Sequence, residues 1–208
     1  MHVSFAKDGR GALPLHAVTA RGLKKWLAAQ KPGARKFLAS FAAAEGDLRL
    51  VPRSDGGPAL AVLGLGKGDD PLALAAFAES LPEGVYRFED VPEDFGGARG
   101  ALAWALGGYQ FSRYRKAAPR GARLALAKNV DGAEIGRIAE AVFLARDLIN
   151  TPANDLGPAE LAEAAKTLAQ KHGAKISVIS GEALLKNNYP LIHAVGKGSA
   201  RAPRLLCQ

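Results

Sequence analysis

An α/β fold, three-layered over roughly its first 130 residues, is predicted by three features of the 208-residue sequence. Short alternating or wholly apolar segments, as strands require, are interleaved with segments whose apolar residues recur at helical spacing. Residues 59–65 (ALAVLGL) form an unbroken apolar run, the pattern of a central strand covered on both faces. A long periodic stretch from Asp131 then runs into an elbow carrying Pro152 and Pro158, and a second, shorter α/β pattern begins beyond it.

Taken in order, residues 13–19 (LPLHAVT) read as the first strand. Helical patterns follow over 21–29, with Leu23, Trp26 and Leu27, and over 33–44, with Phe37, Leu38 and Phe41; Pro32 suits the start of the second. Residues 47–52 alternate as a strand, 54–58 (SDGGP) make a turn, and 59–65 make the central strand. The glycine-rich turn 64–71 (GLGKGDDP) lacks the spacing of a dinucleotide or Walker A loop, and Asp69 and Asp70 would repel an anion. Helix capping by these aspartates, ahead of a helix over 72–81, is the better account. Next come a strand at 85–89, an acidic turn, and a helix over 98–114 whose aromatics (Trp104, Tyr109, Phe111, Tyr114) are read as packing residues. Residues 122–127 (ARLALA) alternate as another strand.

Asp131 and Glu134 stand as a capping box at the head of a helix striped by Ile135, Ile138, Ala139, Val142 and Ile149. About 20 residues at 1.5 Å each give about 30 Å, long enough to join two bodies. Pro152 stops this helix, Asn150, Asn154 and Asp155 suit a fixed elbow, and Gly157-Pro158 begins the next helix, over 158–171. Strands are expected at 175–179, 191–195 and from 204, with a short helix over 181–187, so the second body reads as the opening of a mixed sheet.

Composition narrows the function classes. The single cysteine, Cys207, excludes an internal disulfide framework and fits a reducing cytoplasm. Lys7, Asp8 and Arg10 interrupt the amino terminus where a signal peptide would be apolar, and no run reaches the roughly 18–20 apolar residues of a membrane span. The expectation is a soluble, intracellular chain. The net charge of +8 lies wholly beyond residue 98, and Arg113, Arg115, Lys116, Arg120, Arg123 and Lys128 follow one another with no acid between them. That run reads as a solvated face or a subunit contact, or alternatively as a phosphate-backbone contact for nucleic acid. The histidines (His2, His16, His172, His193) are scattered. His172 suits a helix end and His193 a hydrogen-bonded core position. No serine or cysteine stands in a nucleophile elbow, and no carboxylates cluster with histidine or cysteine as a metal site needs. Residue chemistry alone therefore yields no catalytic, metal-binding or cofactor-binding residue.

The elbow 146–158 (RDLINTPANDLGP) resembles the junction segment of the leucyl aminopeptidase (cytosol aminopeptidase) family, where Asn-x-Pro-x-Asn marks the entry to the catalytic domain; Asn150, Pro152 and Asn154 stand at that spacing. The resemblance continues through 159–172 and into 190–203 (PLIHAVGKGSARAP), similar to the family's "KGS" turn. Upstream, 104–114 (WALGGYQFSRY) resembles the segment closing the family's macro-domain-like amino-terminal domain. The resemblance implies a macro-like domain over 1–130, a linker helix and elbow over 131–156, and the start of a metallopeptidase catalytic domain over 157–208. It also implies a cytoplasmic homo-oligomer, hexameric in the family. Full-length members would hydrolyse amino-terminal residues from peptides with two divalent cations, manganese, zinc or magnesium, held by a lysine, three aspartates and a glutamate.

The departure from the family pattern is local and decisive. Gly196-Lys197-Gly198 resembles the opening of the family's Gly-Lys-Gly-x-x-Phe-Asp signature, but Ser199-Ala200-Arg201-Ala202 follows, and no carboxylate occurs after Glu182. Lys197 is accordingly not assigned as a metal ligand, and no catalytic or metal residue is carried over. The expectation is a fragment of such an enzyme, inactive as it stands and holding no cation of its own. The alternative is a nucleic-acid-binding or oligomerisation and regulatory module using the basic 113–128 segment.

Overall fold

Alternation along residues 13–18 sends Leu15 and Ala17 to one side and His16 and Val18 to the other, and this split organises the first half of the molecule. The computed structural model describes residues 5–116 and 120–207 and divides the chain into two units, Met1–Leu144 and Ala145–Gln208. In the first unit six strands form one sheet: β1 (Phe5–Ala6), β2 (Leu13–Val18), β3 (Leu48–Pro52), β4 (Pro58–Gly64), β5 (Gly84–Asp90) and β6 (Ala122–Ala125). Their spatial order is β1-β6-β5-β2-β4-β3, parallel throughout except for the antiparallel edge strand β3. The edge pair β1 was not expected from the sequence; two residues carry too little pattern to register.

Each face of the sheet is covered by helices. On one side α1 (Leu23–Ala28) and α2 (Pro32–Phe37) close over Val18, Val51 and Val62, with Trp26, Leu38 and Phe41 filling the layer. On the other, α3 (Ala75–Ser80), α4 (Gly97–Gly107) and the first part of α5 (Gly132–Asn150) cover Leu15, Ala61, Leu63 and Leu124 with Phe77, Trp104, Ile135 and Phe143. The expected three layers are therefore present, and β4 alternates between the two cores, as a strand covered on both faces must. Burying a side chain such as Phe77, which is fully enclosed, contributes about 1.5–3 kcal/mol.

Four local expectations need correction. The helix expected over 33–44 ends at Phe37, and 38–41 tighten into i→i+3 turns, with the Phe41 N–H on the Leu38 carbonyl. Its continuation is diverted because 43–46 lie against β4: the Gly66 N–H bonds Ala43 O and the Gly46 N–H bonds Gly64 O. A Cβ at Gly64 would run into the Ala44 carbonyl, so the glycine-rich turn serves close backbone packing. The helix expected over 72–81 begins only at Ala75 and has no side-chain cap, because Asp70 Oδ1 accepts from the Leu72 N–H at 2.8 Å inside the preceding turn. The helix expected over 98–114 ends at Gly107-Gly108, where helix propensity is lowest. The aromatics beyond it still pack, Tyr109 on Phe143 with ring centroids 5.4 Å apart and Phe111 on Tyr114 at 5.8 Å. Lastly, the strand expected at 191–195 is part of a helix, α8 (Pro190–Gly196), started by proline at its first position.

The second unit takes the rest of α5, then α6 (Pro158–Lys171), β7 (Ser177–Ser180), α7 (Ala183–Lys186), α8 and β8 (Arg204–Cys207). β7 and β8 pair antiparallel, from Ser177 opposite Cys207 to Ser180 opposite Arg204. Among the described residues no helix is long and apolar enough to cross a membrane.

Candidate functional site

The elbow is built from backbone groups that need donors. Pro152 and Pro158 supply no N–H, so the carbonyls between them depend on neighbours. Thr151, which is buried, closes α5 by donating Oγ1–H to the Asp147 carbonyl at 2.6 Å. Pro152 O accepts from the N–H groups of Asp155 (2.9 Å) and Leu156 (3.0 Å), making a single turn. Gly157 is extended (φ −101°, ψ −169°) and caps α6, its N–H donating to Glu160 Oε2 at 2.9 Å.

Arg201 reaches this turn from 48 residues on. Its Nη1 donates to Ala153 O at 2.8 Å and its Nη2 to Asn154 O at 2.7 Å, a fork whose two N–H groups satisfy two successive carbonyls. Glu160 lies 4.0 Å from Nη1. Its carboxyl is held below the usual carboxylate range, first by its own backbone N–H, then by the Gly157 N–H and the charges of Arg201 and Arg204. A side chain at Gly157 would occupy the guanidinium's place. The two segments that carry the family resemblance, the elbow and the turn after Lys197, are thus parts of one hydrogen-bonded assembly. Sequence reading treated Arg201 only as a departure from a signature, and no local pattern marks it, since its partners are carbonyls.

What this assembly can do chemically is limited by how its carboxylates are used. Glu160 is engaged as a helix cap, Glu163 pairs with Lys166 at 3.4 Å, and Glu182 meets His193 Nε2 at 3.1 Å. Among the described residues no three His, Cys, Asp or Glu side chains converge. Lys197 is exposed at the end of α8, bonded through its backbone to the His193 carbonyl. His193 itself is half-buried and paired to Glu182, not enclosed in a core, and His172 caps α6. His2 lies outside the described residues.

The basic segment is dispersed. Arg113, Arg115 and Lys116 are exposed in the loop after α4, with the Arg113 guanidinium 5.7 Å from the centroid of the Tyr114 ring. Arg120 is half-buried and donates to the Gly107 carbonyl at the end of α4. Arg123 projects from β6 on the side opposite Leu124, and Lys128 follows the strand; both are exposed. Five of the six cations therefore face solvent and one is engaged in closing α4.

The described residues thus form a mixed α/β unit, a helix that runs on from it, an Arg-bound elbow and further α/β elements. Residues 13–127 match the amino-terminal domain of M17 aminopeptidases, and residues 143–207 match the catalytic domain of the cytosol aminopeptidase family. The chain belongs to the M17 leucyl (cytosol) aminopeptidase family, a family of metallopeptidases. A probable cytosol aminopeptidase of Mycobacterium leprae is 44% identical over 111 residues, covering 49% of this chain and 21% of the relative. One from Mycobacterium marinum is 36% identical over 178 residues, covering 76% and 34%. Among solved structures, the cytosol aminopeptidase of Coxiella burnetii superposes with a TM-score of 0.82 at 31% identity over 94% of this chain and 43% of its own. The bottromycin maturation enzyme BotP, solved in complex with Mn, does so with a TM-score of 0.71 at 27% identity, over 93% and 44%. The chain thus spans between a fifth and a third of these sequence relatives and under half of these structures.

Proposed function

We propose that this chain supplies the amino-terminal domain (1–130), the linker helix and elbow (131–156) and the opening of the catalytic domain (157–208) of a cytoplasmic, homo-oligomeric M17 aminopeptidase, and has no peptide hydrolysis of its own. In the complete protein the substrates are peptides with a free amino terminus, and the cations are manganese, zinc or magnesium. One observation carries the inactivity: Glu160, Glu163 and Glu182 are each committed to a cap or an ion pair, and no convergent donor set stands among the described residues. The purified chain incubated with leucine p-nitroanilide and millimolar manganese is expected to show no turnover above buffer. Robust metal-dependent release of p-nitroaniline would refute the proposal.

A second reading has its own support in the five exposed cations between Arg113 and Lys128, among which Tyr114 packs on the preceding Phe111. On that reading the chain is a nucleic-acid-binding or regulatory module. A gel-shift series across salt separates the two, because a complex held by phosphate contacts weakens steeply between about 50 and 200 mM salt. Binding with that dependence, reduced by Arg115→Ala with Lys116→Ala, would favour the module; no shift leaves the aminopeptidase portion.

A further inference from the structure

Although the excess charge lies beyond residue 98, the charges of the first half are sharply segregated. Residues 9–44 contain seven cations and no carboxylate. One, Arg10, pairs with Asp8; the other six, Arg21, Lys24, Lys25, Lys31, Arg35 and Lys36, lie on α1, α2 and the residues leading into them. All six are exposed, and none of their side chains has an ion pair or hydrogen bond among the described residues. Their outward direction is fixed by what α1 and α2 bury. Leu23, Trp26 and Leu27 turn the apolar side of α1 onto Leu38, Phe41 and Val62, and the Trp26 indole is tied to His16 and lies 6.3 Å from the Phe41 ring. The result is a firmly seated outer layer of unpaired cations. Phe37, the last residue of α2 and next to Lys36, is 48% exposed on the same short helix.

We propose that the α1–α2 face is a peripheral binding surface for an anionic phospholipid bilayer, its six cations held in the headgroup layer and the Phe37 ring at the boundary with the acyl chains. Each cation near an anionic leaflet strengthens binding on the order of fivefold, an attraction that decays within about 10 Å at 0.1 M salt. The side chains present favour a bilayer over nucleic acid. Four of the six cations are lysines, point charges without the planar fork with which arginine reads guanine. Gln30, the one side-chain amide of the segment, donates to the Trp26 carbonyl at 3.2 Å and is not presented to a base edge. An exposed phenyl ring, in turn, gains where an apolar layer lies directly behind the phosphates. The surface belongs wholly to the first unit and shares no residue with the 113–128 segment, so it stands apart from both readings above.

The test is flotation of the full 208-residue chain with vesicles of phosphatidylcholine and phosphatidylserine, and with vesicles of phosphatidylcholine alone. The mixed vesicles should bind at least tenfold more tightly, and the difference should vanish as salt is raised. Lys24→Ala, Lys25→Ala and Lys36→Ala together change only exposed helical positions, which alanine suits, and should weaken mixed-vesicle binding at least tenfold. Arginine at the same three positions should preserve it, as should Arg115→Ala with Lys116→Ala, whereas Phe37→Ser should weaken it at least twofold. Equal binding to the two kinds of vesicle, or a complex indifferent to the triple alanine substitution, would overturn the proposal. Indifference to Phe37→Ser, or displacement from the vesicles by duplex DNA bound through the same lysines, would overturn it in favour of a soluble polyanion.

Discussion

His16 sits on β2 with Trp26 donating its indole N–H to Nδ1 at 3.2 Å and Asp90 Oδ2 3.7 Å away. Tryptophan can only donate, so Nδ1 must be the unprotonated nitrogen and the proton of the neutral ring is on Nε2. Burial holds the imidazole below its ordinary value of about 6.5 against the opposing pull of Asp90 and Glu89. The native state therefore resists protonation while the unfolded chain accepts a proton at the ordinary value. The contribution to stability is complete above about pH 6.5 and is lost as the pH falls from there toward the folded value. His16→Ala leaves the Trp26 N–H without its acceptor in a buried site and should cost about 1–3 kcal/mol at pH 7.5 by urea denaturation. Its stability should fall less than the wild type's between pH 6.5 and 5. Equal pH slopes in the two proteins would show that His16 titrates alike in both states. The sequence placed His16 in a strand but gave no hint of Trp26, ten residues away on a helix, as its partner.

At the level of elements, one substitution tells opposite stories in two helices. Gly107 ends α4 where it crosses α3, and a methyl there would run into the Ala75 carbonyl, a backbone group that cannot move aside alone. Gly136 lies within α5 with nothing within 4 Å of the position its Cβ would take. Alanine is the better helix former by about 1 kcal/mol at either site. Gly136→Ala should thus stabilise by up to about 1 kcal/mol, while Gly107→Ala should destabilise by about 1–3 kcal/mol through overpacking. Chemical denaturation of both variants checks this, and two stabilising changes would mean that α3 and α4 are free to separate. The same contrast explains which elements could be read beforehand. The 3.6-residue stripes of α5 and α6 are long enough to decide themselves, and Asp131 caps α5 through the N–H groups of Ala133 (2.8 Å) and Glu134 (3.1 Å). Leu191-Ile192-His193-Ala194-Val195 is too short for periodicity to separate strand from helix, and Pro190 settles it only in retrospect. The shortened α2 was illegible for another reason: its end is set by Gly64 and Gly66, more than 20 residues later.

Across the whole molecule the two units differ in how much they bury. The first has a core on each face of its sheet, whereas in the second only Thr151, Ala162 and Leu184 are buried among the described residues. Fixing one residue's backbone costs about 1–2 kcal/mol, and burying one leucine returns about 1.5–3 kcal/mol. Three buried side chains cannot hold some sixty residues with the margin of the first unit, despite the anchoring of Arg201. This imbalance was partly legible: the stripe of α6 is plain in the sequence, but whether Leu161 and Leu168 find cover is a matter of neighbours, and both remain exposed. Local opening should therefore be far easier in the second unit. In hydrogen exchange of the monomeric chain, the amides of Val178, Ile179 and Leu205 should exchange at least 100-fold faster than those of Leu15, Ala17, Ala61 and Leu63. Equal protection in the two groups would mean that 177–207 draws its stability from cooperative unfolding with the first unit. The thin core of the second unit would then not be what sets its stability.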